Sequence, residues 1–400
     1  MVEGVTVEAA ARAAAAAVDE EEVLDLARRL IRAPSENPGG SEDEVASIVT
    51  DVLDGLGAAP ETIRSPTGRP SVLAAIGGAR AGAPRLVFNG HLDVVPAGEP
   101  RHWPHPPYEA VVDGGALWGR GAADMKGPIA AALAAAAAIR RAGIELGGEL
   151  ALHLVADEEY LGVHGTVVLL ERGLLRADAC IVGEPSELAI GLAQRGGAWI
   201  RATAYGKIAH GSTPELGVNA ITSMARFVLA AERALPDLEH ALVGRPSINI
   251  STIEGGRSFN VVPDRCEVDV DRRAIPGETL DDVVAGIDRV LDGLSNRHPG
   301  FDISIDVKDW CEPAQIPADA PIVGVLRDAV QDVRGSEPAR VGFTGITDAR
   351  FYANDAGIPT VLFGPGSLTV AHTAGEQVAV DELVAGARAY AQAFVRFVGT

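Results

Sequence analysis

The sequence predicts an α/β fold: a mostly parallel sheet with helices on both faces, interrupted by a smaller ferredoxin-like α+β module. Three observations predict it. Short apolar runs alternate with helical patterns in the first half, the signature of a parallel sheet with crossover helices. The middle third reads β-α-β-β-α-β, the split motif of a ferredoxin-like layer. Finally, 400 residues exceed one ordinary domain, and 47% hydrophobic content is ample for buried cores.

The elements follow in order. Residues 1–18 form an amphipathic helix or a loose extension, and 20–32 and 41–56 carry apolar residues at helical spacing. Residues 85–89 are a buried strand around Leu86, Val87 and Phe88. An alanine-rich helix spans 124–141, with Pro128 tolerable because it falls in the first turn. Strands are expected at 149–156, 179–182 and 359–363. In the inserted module, strands at 198–205, 247–253, 260–270 and 301–307 combine with helices at 219–235 and 279–294. The insertion splits the α/β domain into segments 1–194 and 309–400, around a module at 195–308.

Composition narrows the function. A net charge of −21 argues against nucleic acid, whose phosphates demand a basic face. Three widely spaced cysteines (Cys180, Cys266, Cys311) read as reduced thiols, which points to the cytoplasm. No apolar run is long enough to span a membrane, and the acidic start lacks the features of a secretory signal.

The residues able to carry chemistry share one position: most of them follow an apolar strand. His91 and Asp93 follow the first, Glu158 and Glu159 the next, Glu184 the third, and His372 lies shortly after the last. Asp124 follows the glycine-rich turn Gly119-Arg120-Gly121. In open α/β sheets ligands gather beyond the carboxyl ends of the strands, so these side chains converge on one edge. Neighbouring acids such as Glu158-Glu159 are ordinarily solvated, and a lone histidine such as His372 is ordinarily structural; their position after strands, together with the motifs described below, reverses that reading. His102, His105, His153, His164, His240 and His298 lack such context and are read as structural. Two histidines with three carboxylates suit zinc, with cobalt or manganese as substitutes. One carboxylate can bridge two ions, which together activate a shared water and polarise a carbonyl.

Five segments, in order, resemble the dinuclear zinc family of acetylornithine deacetylase, succinyl-diaminopimelate desuccinylase, aminoacylase and carboxypeptidase G. They are Gly90-His91-Leu92-Asp93, Gly119 to Gly127, Asp157-Glu158-Glu159, Val182-Gly183-Glu184-Pro185 and Ala371-His372-Thr373. The resemblance implies that Asp124 bridges two zinc ions, that His91 and Glu184 complete one site, and that Glu159 and His372 complete the other. It implies Glu158 as general base, Asp93 as the partner of the other His91 nitrogen, and a cis peptide between Asp124 and Met125. It also makes the split domain catalytic and the module a lid and dimerisation domain.

In that module, Gly206 to Pro214 resembles a lid motif whose histidine crosses a dimer interface to stabilise the oxyanion, which assigns the role to His210. The segment Asp271-Arg272-Arg273 resembles an arginine motif that binds the substrate carboxylate, aligned on Arg273 with Arg272 as the alternative register. By the same resemblance Asn260 lies near the substrate, and the loop around Gly366 turns its backbone toward the bound carboxylate. The implied activity is amide hydrolysis of a small N-acylated amino acid or a similar carboxylate-bearing substrate by a homodimer. A dipeptidase or carboxypeptidase, or a tailoring amidohydrolase, would use the same machinery. A non-catalytic descendant should have lost the base or a ligand, and here all are present. Ile346, where many relatives carry a second glycine, leaves the substrate open.

Overall fold

The computed structural model describes residues 6–78 and 82–399, in two compact units. The first comprises Met1–Leu192, Ile316–Val341 and Thr347–Thr400. At the centre of its sheet, Glu149–Val155, Arg85–His91, Ala179–Val182 and Thr360–Leu362 lie side by side, all parallel. Val87 faces Ala151 on one side and Cys180 on the other. Antiparallel neighbours flank this core: Pro70–Gly77 beside Glu149–Val155, and Ile190–Gln194 beside Thr360–Leu362. The sheet is therefore parallel where βαβ crossovers build it and antiparallel at its margins. Because the four central strands run the same way, the residues that follow them emerge at one edge.

The helix Lys126–Arg141 is buried from Lys126 to Ile139. Its alanines permit close packing against the helices Val380–Val398, Val7–Ala16 and Glu20–Ile31. Val7–Ala16 is a true helix, capped by the Thr6 hydroxyl and buried along Ala10, Ala11, Ala14 and Ala15. Tyr390 anchors the last helix to the sheet. Its ring packs edge-on against Phe88 and Phe363 at 5.2 and 5.5 Å, and its hydroxyl donates to the Phe363 carbonyl.

The second unit comprises Ala193–Gln315 and Gly342–Ile346. Its strands Gly196–Tyr205, Ser247–Gly255, Arg265–Ala274 and Asp302–Cys311 are antiparallel, in the order second, third, first, fourth. Helices Ala220–Ala231 and Leu280–Ser295 cover one face, where Ile200, Ala202, Val268, Val270, Phe227 and Ile287 form the core. Two expectations need correction. The third strand begins at Arg265 and not at residue 260. Pro263 has no N–H for a ladder, and the stretch before it pairs elsewhere: Val262 N–H donates to the Ala209 carbonyl, and Gly211 N–H to that of Asn260. The unit also runs past residue 308, because Cys311 still pairs with Gly197, and Ala314 and Gln315 pair with Gln194 and Ala193.

Candidate metal centre

The edge beyond the parallel strands of the first unit gathers His91, Asp124, Glu158, Glu159, Glu184 and His372. His91 ends its strand and is 1% exposed. Its Nε2 lies 2.9 Å from Asp124 Oδ1, while His372 Nε2 lies 3.3 Å from Asp124 Oδ2 and 3.1 Å from Glu159 Oε2. The two oxygens of one carboxylate thus face two different imidazoles. Asp124 precedes the helix that begins at Lys126, and its peptide bond to Met125 is cis. Glu158 and Glu159 sit in the 3₁₀ turn Glu158–Tyr160, directly after the Glu149–Val155 strand. Two sets of ligand atoms, His91–Asp124–Glu159 and His91–Glu158–Glu184, each fall within 4.8 Å of one another.

Asp93 does meet the other His91 nitrogen, but through its main chain. The His91 Nδ1 is 2.9 Å from the Asp93 main-chain carbonyl but 3.6 Å from its carboxylate. The carboxylate is engaged elsewhere: it accepts the N–H groups of Glu158 and Glu159 and, at 2.8 Å, the Asn37 amide. Asp93 therefore orients the imidazole through its backbone and the acidic turn through its side chain.

The electrostatics are those of a site short of positive charge. Burial first, then repulsion among the acids, pushes Glu158 and Glu184 well above the usual carboxylate range, and Glu159 in the same direction. Burial works against Asp124 as well, but hydrogen bonds from His372 and His91 hold it below its ordinary value. Hydrogen bonds to Asp124 and Glu159 raise His372 to about 10. Burial opposes the same trend at His91, where Asp124, Glu158 and Glu159 prevail. Glu159 Oε1 is buried without a hydrogen-bond partner. An orphaned carboxylate oxygen, two imidazoles and four crowded acids are a donor set that fits divalent metal ions.

Several residues that hold this site have no role in the sequence reading. Asn37 also donates to Asp157 at 3.0 Å, and its own oxygen is bonded by Arg69, which pairs with the buried Glu42. Lys126, fully buried, donates to the Ala33 carbonyl; burial lowers its pKa to about 7. Glu376 binds the loop that carries Asp124. Asn37 beside Pro38, and Glu376 four residues after His372, are the faint signals that could have marked two of them.

The proposed substrate contacts fare unevenly. Gly366 has a φ of +97°, suited to glycine, but its N–H is already donated to Glu382 at 2.8 Å, so that amide does not face an open pocket. The remaining three belong to the second unit. His210 is exposed, and its Nδ1 accepts the Ser212 N–H at 3.1 Å. Arg272 is buried in an ion pair with Glu278, whereas Arg273 is half-buried on the opposite sheet face, above Trp199 and bonded to Asp271. The alternative register is thus an internal brace. Asn260 is exposed, its oxygen taken by the Ser258 hydroxyl at 2.6 Å.

Residues 87–396 match the profile of Peptidase family M20/M25/M40. Over 371 residues the chain is 33% identical to the succinyl-diaminopimelate desuccinylase of Methylorubrum extorquens, covering 90% of this chain and 94% of that one. Over 400 residues it is 31% identical to the N-formyl-4-amino-5-aminomethyl-2-methylpyrimidine deformylase of Bacillus subtilis, covering 91% and 92%. Among solved structures, an M20 family metallo-carboxypeptidase from Sulfolobus solfataricus superposes with a TM-score of 0.78 at 20% identity, covering 94% of this chain and 99% of that one.

Proposed function

Since the chain belongs to Peptidase family M20/M25/M40, and is therefore an amide-cleaving hydrolase, we propose that it removes an acyl group from a small N-acylated amino acid or related carboxylate-bearing compound. The observation that carries this is Asp124, one carboxylate facing two imidazoles among three further acids. Asp124 would be shared by two zinc ions, with His91 and Glu184 completing one site and Glu159 and His372 the other. When bound, the pair would lower the pKa of a water and polarise the scissile carbonyl.

The rest is the work of side chains. Glu158 takes the proton of the attacking water and delivers it to the leaving amine. Asp93 holds the main chain of Glu158 and Glu159, and with it the aim of both carboxylates. His210, whose Nδ1 is engaged by the Ser212 N–H, uses its Nε2 to stabilise the developing oxyanion across a homodimer. Arg273 keeps guanidinium hydrogens beyond those bonded to Asp271 and takes the substrate carboxylate. Asn260 would lie near the same substrate. Only three cysteines, widely spaced in the sequence and buried in the structure, fit a reducing compartment, and the cytoplasm is the proposed location.

The deformylase relative favours a second reading, a tailoring amidohydrolase acting on an acylated amine that carries no carboxylate. A panel of N-acetyl, N-formyl and N-succinyl amino acids, dipeptides and N-formyl amines separates the two. Arg273→Ala should raise KM for the carboxylate substrates alone. Glu158→Gln should keep both metals and lower kcat by about 10²–10⁴. Turnover of nothing in the panel by zinc-replete wild type would refute the hydrolytic assignment.

A further inference from the structure

Glu376 is fully buried, and no step above uses it. Its Oε1 accepts three main-chain N–H groups, from Gly121, Ala123 and Asp124, each at 3.0 Å. Its Oε2 is held by Arg120, itself 2% exposed beneath the Trp103 ring. A single carboxylate oxygen therefore gathers the turn that presents Asp124.

The flanking chain is stitched to the same turn. Gly119 N–H donates to the Glu376 carbonyl at 3.1 Å, and the strand Gln377–Ala379 pairs with Ala116–Trp118, Gln377 opposite Trp118. Residues 116–124 and 372–379 thus form one braced piece that carries two proposed ligands, Asp124 and His372. His91 and Glu184 are carried differently, at the ends of central parallel strands, and the Asp93 carbonyl locks the His91 ring. His372 lacks such support: it is half-exposed, sits at a φ of +61°, and its ring nitrogen pairs with Asp124 and Glu159.

The geometry points to Glu376 as a positioning residue for one half of the metal centre. By setting Asp124 and His372 relative to each other, it governs the ion held by Asp124, Glu159 and His372 more strongly than the ion held by Asp124, His91 and Glu184. This rests on the two-metal assignment proposed above. The asymmetry has a physical cause. If the Asp124 turn loosens, its carboxylate can still follow His91, which the sheet keeps in place, whereas the His372 side loses the brace that sets its ligand separation.

Cobalt(II) titration of metal-free protein, followed by visible absorption and elemental analysis, tests this. Wild type should take up two ions. Glu376→Gln keeps an acceptor for the three N–H groups but loses the charge that Arg120 holds. It should bind the first ion nearly as wild type does and the second about 10–100-fold more weakly. Arg120→Met should shift the same ratio in the same direction, and it carries the comparison if Glu376→Gln fails to fold. Urea midpoints of the metal-free variants report loss of fold separately. Equal weakening of both ions, or no change in either, overturns the role of Glu376 while leaving the two-metal assignment standing. Fewer than two ions in wild type overturns both.

Discussion

Asp93 illustrates how a residue's chemistry depends on which of its atoms is free. Two N–H groups and the Asn37 amide occupy its carboxylate, so the imidazole meets the carbonyl instead. A second buried imidazole gives a pH prediction. His153 Nδ1 is 2.9 Å from the Tyr352 hydroxyl, and burial, with a smaller contribution from Arg85, lowers its pKa from 6.5 to about 3. Below 6.5 the unfolded chain accepts a proton that the folded chain refuses until about 3. The stability this neutral ring contributes is thus complete above 6.5 and is lost as the pH falls toward 3. Between about pH 7 and about pH 5, urea unfolding of wild type should lose about 2 kcal/mol more than unfolding of His153→Gln. Equal losses would place the acid sensitivity elsewhere.

At the scale of elements, the join between the Gly119–Gly121 turn and the alanine-rich helix is tight. A Cβ on Gly127 would lie 2.1 Å from the Ala122 carbonyl oxygen, which is backbone and cannot move aside alone. Gly127→Ala should therefore displace the Asp124 turn, costing about 1–3 kcal/mol in thermal unfolding. It should also lower zinc per chain in elemental analysis. Gly324, in the helix Pro321–Arg334, is the control, since a Cβ there meets nothing within 4 Å. Gly324→Ala should stabilise by about 0.5–1 kcal/mol with zinc content unchanged. Zinc content and melting like wild type in Gly127→Ala would remove the close approach from the account of the site.

At the scale of the whole molecule, the question is whether one chain completes its own site. Among the described residues no helix is long and apolar enough to cross a membrane, and the proposed assembly is a homodimer with His210 acting in trans. Mixed dimers decide it. Glu158→Gln and His210→Ala should each be nearly inactive alone. Co-expressed, they should regain activity, because the site on the His210→Ala chain combines its own Glu158 with the other chain's His210. If His210 acts within its own chain, every mixed site lacks one group, and co-expression recovers nothing.

Much of this protein is legible in its amino-acid order. The succession of apolar runs implies a parallel sheet, and a parallel sheet sends its carboxyl ends to one edge; that pattern, together with the motif resemblance, places His91, Glu158, Glu159, Glu184 and His372 together. The ferredoxin-like strand order follows from the same kind of pattern. Tertiary structure alone decided which atoms of those residues are free. The diversion of the Asp93 carboxylate, the use of the Gly366 amide by Glu382, the separation of Arg272 from Arg273 and the brace at Glu376 all depend on partners distant in sequence. Periodicity reports which face of an element is buried. Which donor meets which acceptor is settled only when the buried groups of separate segments compete for one another, and that competition leaves no local trace.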